Sequence, residues 1–298
     1  MFGGWVMQKF GARGHTGKKL EVLDKYHGFY PVALKDKYRL IYIDAFAGTG
    51  HVLLSQSDEG APMLPGLAAE PEILEGSATR ALKAAIPYHK YVFIEKSQKK
   101  LAALKAQLGK QFPEKISLCQ FECADANDAI KQICATTDWK KHRAVVFLDP
   151  FGNQIEWSTL EALAKTEAVD VWYLFPAGLG IYRQIPKKGT IQEESAESVS
   201  RILGSNDWKF LFTQVKTTQD MFGEVEETVR RDATVEAITE HAILRLKSIF
   251  KGGVLDDYVV LGGKGKVYWY SLLFAVSNPN RKAKELAHKV AGWIVSHS

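Results

Sequence analysis

Along the chain, short apolar runs alternate with segments in which apolar positions recur every three or four residues. The runs are read as buried strands and the periodic segments as helices, so their alternation predicts βαβ units around a parallel sheet. Residues 16–35 place Leu20, Leu23, Tyr26 and Tyr30 at helical spacing, which sets a helix before the first strand. Arg39–Phe46 is the first strand and ends in the small-residue turn Ala47–Gly50. Ser77 is expected to cap a helix reaching Ala85, and Tyr91–Lys96 is the second strand. A helix over Ser97–Leu108 follows, then a third strand at Ile116–Asp125 and a short helix at Asn127–Cys134. Ala144–Gly152 is the fourth strand, Trp157–Lys165 a helix, and Val169–Pro176 the fifth strand.

After Pro176 the alternation stops, and residues 177–253 read as a largely helical insertion, too long for a crossover and suited to a lid or substrate platform. Asp256–Gly263 and Lys266–Asn278 then form two strands around a glycine-containing loop, the signal of a hairpin. A last helix covers Lys282–Val295. Residues 1–298 thus read as one α/β domain: an N-terminal helical extension over 1–38, a core over 39–176 and 254–298, and the insertion between. Seven strands are expected, mostly parallel, with an antiparallel strand at the end.

Composition narrows the class. At 298 residues, 46% hydrophobic and 24% charged, the chain has the profile of a globular protein with a substantial core. No apolar stretch approaches a membrane span and no signal peptide opens the sequence, so a cytoplasmic location is expected. Cys119, Cys123 and Cys134 form no metal spacing and are read as reduced thiols in or near the core. The histidines show no zinc signature, so no metal is expected. Residues 1–39 carry eight Lys/Arg against three acids and residues 245–298 carry nine against three, while the middle is acidic. If the basic ends meet on one face they form a footprint for polyanions; scattered solvated lysines explain the same counts.

Ligands of an open α/β sheet gather at the carboxyl ends of its strands, and there the sequence delivers four acids: Asp44, Glu95, Asp125 and Asp149. Gly48 and Gly50 allow a tight turn and close approach of backbone N–H groups to a ligand. The third glycine of a dinucleotide fingerprint is missing, as is the Lys-Ser/Thr of a phosphate loop, which disfavours a pyrophosphate. Glu95 stands where an acid accepts both ribose hydroxyls, and Asp125 could accept from an adenine amino group.

IDAFAGTG, EGSATRAL, FIEK, ADAND and LDPFGN, in that order over roughly residues 15–176, resemble the three-Cys-motif partner (TcmP) family of S-adenosylmethionine-dependent methyltransferases. The resemblance implies a Rossmann-like class I methyltransferase, S-adenosylmethionine as cofactor, and a three-Cys-motif protein as partner. The same motifs are similar to the methyltransferases that modify exocyclic amines of bases in RNA or DNA. There the FxGxG of Phe46, Gly48 and Gly50 would hold the cofactor, and Asp149, Pro150 and Phe151 would hold the target amine. Asp-Pro-Phe-Gly departs from the Asp/Asn-Pro-Pro-aromatic motif of adenine enzymes and is similar to that of guanine-N2 dimethyltransferases of tRNA.

An exocyclic amine is a poor nucleophile because its lone pair is delocalised into the ring. Acceptors at Asp149 and the Pro150 carbonyl would pyramidalise the nitrogen, and Phe151 would stack on the unstacked base. The same residues also suit a strand-ending turn in which Asp149 caps the following helix. His15 and Lys18 or Lys19 could reach a cofactor carboxylate or a phosphate. Tyr182, Arg183, Lys187 and Lys188, just past the fifth strand, sit where a substrate backbone could pass, although a plain loop accounts for them too. Tyr268, Trp269 and Tyr270 are expected to pack in the core. Two rivals remain: a methyltransferase-like module that binds cofactor or partner without transfer, and a nicotinamide oxidoreductase weakened by the missing glycine.

Overall fold

The alternation of apolar runs with amphipathic segments produces the expected layers. A computed structural model describes residues 14–53, 73–219, 225–263 and 267–298. In chain order its elements are α1 (Gly14–Leu34), β1 (Arg39–Asp44), β2 (His51–Leu53), β3 (Ile73–Glu75), α2 (Ser77–Lys83) and β4 (Lys90–Ile94). Then come α3 (Gln98–Gln111), β5 (Cys119–Glu122), α4 (Ala126–Thr136), β6 (His142–Leu148), α5 (Trp157–Lys165) and β7 (Val169–Phe175). The insertion holds α6 (Glu193–Leu203), α7 (Trp208–Phe212), β8 (Thr213–Gln219), β9 (Val225–Arg231) and α8 (Val235–Ile249). The chain closes with β10 (Gly253–Val254), β11 (Val259–Leu261), β12 (Tyr270–Val276) and α9 (Arg281–Ser296).

The main sheet runs β10-β12-β7-β6-β1-β4-β5, with β11 also on β12. β5, β4, β1, β6 and β7 are mutually parallel, while β12 is antiparallel to β7 and forms a hairpin with β11. The sheet has eight strands rather than seven, because the two-residue β10 adds to β12, a length too short for a periodic signal. The order reverses beside β1, and that places the crevice for a ligand between the carboxyl ends of β1, β4 and β6.

Successive residues of a strand face opposite sides, and each central strand accordingly feeds two cores. Ile41, Ile43, Val146, Val171 and Tyr173 pack with α4, α5, α6 and α8. Leu40, Tyr42, Val145, Phe147 and Trp172 pack with α1, α2, α3 and α9. The second core is aromatic: Tyr26, from α1, meets Trp172 edge-on at 5.5 Å between ring centroids. Among the described residues, α1 and the C-terminal α9 touch: Lys25 donates to His297 O at 2.8 Å and Phe29 lies 6.3 Å from Trp293.

The helical reading of 177–253 needs correction. The insertion contains the antiparallel pair β8/β9 as well as helices, and residues 177–182 make a single π-helical turn. Arg231 of β9 ties that turn down by donating to Tyr182 O and Ile185 O, with its guanidinium 3.6 Å from the Tyr182 ring centroid. The Gly/Pro-rich stretch between Asp44 and Glu95 is bracketed by the β2/β3 ladder, and residues 54–72 lie outside the described ones, as do 264–266 of the hairpin loop. Cys119 and Cys134 are half-buried free thiols whereas Cys123 is exposed, which corrects the near-core reading for that residue. No helix among the described residues is long and apolar enough to cross a membrane.

Candidate active site at the carboxyl edge of the sheet

Parallel register decides which strand-end residues become neighbours. Asp44 pairs with Phe93 on β4 and with Phe147 on β6, so Glu95 and Asp149 each stand two residues further along, about 7 Å higher on flanking strands. Glu95 N donates to Glu122 O, which carries the edge on to β5 and Asp125. The four acids therefore do reach one edge.

Their environments differ. Asp44 is wholly buried, and burial above all pushes its carboxyl up to about 6. Ser77 Oγ donates to its Oδ2 at 2.5 Å and opposes that rise, the nearby Asp149 adds to it, and Phe46 N and Lys19 oppose it. Ser77 is thus not the helix cap expected of it; Gly76 occupies the cap position, and α2 ends at Lys83 because Ala84 leaves helical geometry. The hydroxyl serves the buried carboxyl instead.

Asp149 does not cap α5 either, since that helix starts after Glu156 with no side-chain cap. Its Oδ2 accepts from Lys19 Nζ at 2.5 Å, an ion pair in which the two side chains are 23% and 14% exposed. Lys19 comes from α1, outside the sheet, and Lys18 beside it is exposed. The His15 side chain lies outside the described residues. Pro150 is buried, and Phe151 projects at 77% exposure with Lys100 Nζ 5.9 Å from its ring centroid. Gly152 takes φ +75°, which lets the chain double back so that Phe151 N donates to Gln154 Oε1.

Behind this loop two amides act as pins. Asn153 Nδ2 donates to Gly180 O, Gln184 Oε1 and Ser198 Oγ, joining the Asp-Pro-Phe-Gly turn to the insertion. Asn127 Oδ1 accepts from Glu156 N and Thr159 Oγ1, and its Nδ2 donates to Gln154 O. Asp125 is the cap of α4, its Oδ1 accepting from Asn127 N at 2.9 Å, with Lys96 Nζ 3.7 Å from Oδ2. Its sequence-based place among ligand-facing acids is therefore shared with a structural one.

The glycine turn lies against β4: Ala47 N donates to Ile94 O, next to Glu95. Gly48 has φ +60° and open space where a Cβ would stand, whereas a Cβ on Gly50 would lie 2.7 Å from Leu104 Cδ1. Glu95 Oε1 accepts from Ser97 N at 2.8 Å, which fixes the carboxylate at the mouth of the turn, and Phe46 is half-buried beside it. An open glycine cradle next to an oriented acid fits a nucleoside-bearing ligand approached by backbone groups.

Tyr270 also belongs to this edge: burial raises its hydroxyl pKa first, and Asp149 and Arg183 act on it next. Tyr268 is the core residue of that trio and shares a hydrogen bond with Thr239 Oγ1, whereas Trp269 is half-buried and accepts from Gly178 N through its carbonyl. Arg183 thus lies within electrostatic reach of Tyr270, as Asp149 does. Lys187 and Lys188 are exposed further along, where Lys188 bridges to Arg230 of the insertion.

The reversal of strand order beside β1, the acid-and-glycine edge and an antiparallel strand inserted beside the last parallel one together define a Rossmann-like class I methyltransferase fold. A Legionella pneumophila protein of the DUF519 family model shares this fold at 12% identity and a TM-score of 0.51, over 96% of this chain and 94% of its own. An S-adenosylmethionine-dependent methyltransferase of Clostridium acetobutylicum aligns at 10% identity and a TM-score of 0.35, over 85% of this chain and 91% of its own. TYW2 of M. jannaschii, solved with AdoMet, aligns at 12% identity and 0.36, over 85% and 72%. No protein-family model and no curated protein sequence matches the chain.

Proposed function

We propose that this chain is an S-adenosylmethionine-dependent methyltransferase acting on an exocyclic amine of a nucleic-acid base, in RNA or DNA, and that it is a three-Cys-motif partner (TcmP) protein. The observation that carries the reading is the joining of two strand-exit acids, Asp44 and Asp149, on adjacent parallel strands, with Lys19 acting on both. Gly48, Gly50, Phe46 and Glu95 are the residues suited to hold the cofactor, with Asp44 beneath them. Asp125 is the weakest member of that set because of its cap bond and Lys96.

The cofactor supplies a methyl group on a sulfonium. The chain's own work is to hold the amine: Asp149 and the Pro150 carbonyl accept its two N–H bonds, and the nitrogen lone pair is then free of the ring. Phe151, already exposed, offers a stacking face to a base taken out of its stack. Arg183, Lys187 and Lys188 would meet the substrate backbone. Calorimetry with S-adenosylmethionine tests the cofactor half: the native protein binds, and Glu95→Ala weakens binding about 10-fold or more, the worth of charge-assisted hydrogen bonds to two hydroxyls. Absence of binding to the native protein would defeat the reading.

A second reading, a cofactor-binding or partner-docking protein without transfer, is favoured by the Lys19 ammonium already seated on Asp149 at 2.5 Å. Under it, Asp149→Ala leaves every measurable function intact.

A further inference from the structure

The sheet has a second lined recess, at the edge opposite the acids. A groove of about 740 Å³ opens at the amino ends of β5, β4, β1 and β6. β1 runs from Arg39 to Asp44, so this groove is about 17 Å from the acid edge through the body of the sheet. It is a separate site.

Its lining is cationic. Register sets Arg39 of β1 opposite His142 of β6, and Ile41 opposite Lys90 of β4, which spreads the cations across neighbouring strand ends. Arg39, His89, Lys90 and Lys141 are exposed. His89 Nδ1 accepts from Leu40 N at 2.9 Å, fixing the ring with its other nitrogen as the remaining donor. His142 Nδ1 donates to Asp138 O at 2.8 Å. Asp138 is the acid of the lining, and it lies 3.6 Å from Lys141 Nζ, which leaves Arg39 and Lys90 as cations without a carboxylate partner among the described residues. A point anion needs cations converging on one spot. Here they are distributed over strand ends about 5 Å apart, the arrangement suited to a backbone of repeating phosphates.

We propose that this groove binds the phosphate backbone of a single-stranded segment of nucleic acid, as an anchoring subsite remote from the base that enters the carboxyl edge. The proposal rests on the nucleic-acid reading of the substrate. Its geometry implies that a substrate is held at the two opposite strand-end edges of the sheet, so that a lone nucleoside or a short fragment lacks the anchor.

The test is fluorescence anisotropy with labelled oligouridylate, titrated at several salt concentrations in the absence of cofactor, on the native protein, the double variant Arg39→Gln/Lys90→Gln and Asp138→Asn. Two lost phosphate contacts lower the slope of log K against log salt by about 1.4. Between about 50 and 200 mM salt the native protein then loses about sevenfold more affinity than the double variant. Asp138→Asn shifts affinity the other way, because it removes the opposing charge and keeps the acceptor oxygen. All substituted side chains are exposed, so unchanged melting and unchanged calorimetric binding of S-adenosylmethionine confirm that fold and carboxyl edge are intact. Identical slopes in native and double variant overturn the groove and leave the nucleic-acid reading standing. Loss of oligouridylate binding to an equal concentration of pyrophosphate phosphorus, with no preference for the strand, overturns the anchoring role and marks a small-anion site.

Discussion

Asp44→Asn tests the electrostatics on which the acid edge depends. The Asp44 carboxyl is fully buried and pushed up to about 6 from an ordinary 3.8. Since each tenfold change in proton affinity is worth about 1.4 kcal/mol, the rise corresponds to about 3 kcal/mol. The folded state holds the proton more tightly than the unfolded chain does. Stability from that proton is fully present below about pH 4 and is lost as pH rises through about 6. Asparagine does not titrate, so the unfolding free energy of the native protein minus that of the variant should fall by about 3 kcal/mol from about pH 4 to about pH 7. Asp170, raised to about 7 mainly by burial and bonded to Tyr26 at 2.6 Å, adds a slope of the same sign to both proteins and cancels in the difference. Urea unfolding followed by tryptophan fluorescence reads this as a midpoint difference of about 1 M at a slope of roughly 3 kcal/mol per M. A difference that stays constant over that pH range would refute the reasoning, because Asp44 would then ionise as an ordinary carboxyl.

Three further outcomes follow from the same geometry. Gly50→Ala forces a side chain into φ +82° and against Leu104, and thermal unfolding should show a loss of about 1–2 kcal/mol. Asn127→Ala strands the N–H of Glu156 and the hydroxyl of Thr159, and chemical denaturation should show a loss of about 3 kcal/mol. Phe151→Ala should leave stability within about 0.5 kcal/mol, since the ring is exposed, yet weaken binding of single-stranded RNA by about 1–3 kcal/mol in an anisotropy titration.

Much of this fold is legible in the sequence because burial on both faces makes the central strands continuous apolar runs, and each of β1, β4 and β6 ends where an acid interrupts the run. What joins those ends is not local. The pairing of Asp149 with Lys19 spans 130 residues, and it depends on where α1 packs once the sheet exists. Ser77 reads as a cap by its residue type, but the nearest strong acceptor in three dimensions is Asp44, 33 residues away. Tyr270 reads as core because it opens an apolar run, yet register sets it just beyond Ser271, opposite Phe175, at the carboxyl edge. The hairpin in the insertion escapes the helical reading of residues 177–253. Glu226, Glu227 and Arg230 of β9 are good helix formers, and the period-two spacing of Thr213, Val215 and Thr217 in β8 is too short and too polar to stand out against them. Asn153 has no periodic signature, and its value comes from three partners brought to it by the insertion.

The second edge of the sheet extends this picture. Arg39, Lys90 and His142 sit at strand starts, positions that sequence reading treats only as boundaries. Parallel pairing turns such boundary residues into a row, just as it turns the strand-exit acids into a site.

The most direct measurement of the central claim is transfer of a labelled methyl group from S-adenosylmethionine to total RNA and DNA, followed by digestion to nucleosides, with native protein and Asp149→Asn side by side. The account predicts label on an exocyclic amine of one base with the native protein, and a rate lower by about 10²-fold or more in the variant. Label that is absent, that sits on ribose or ring carbon, or that appears equally with Asp149→Asn would contradict it.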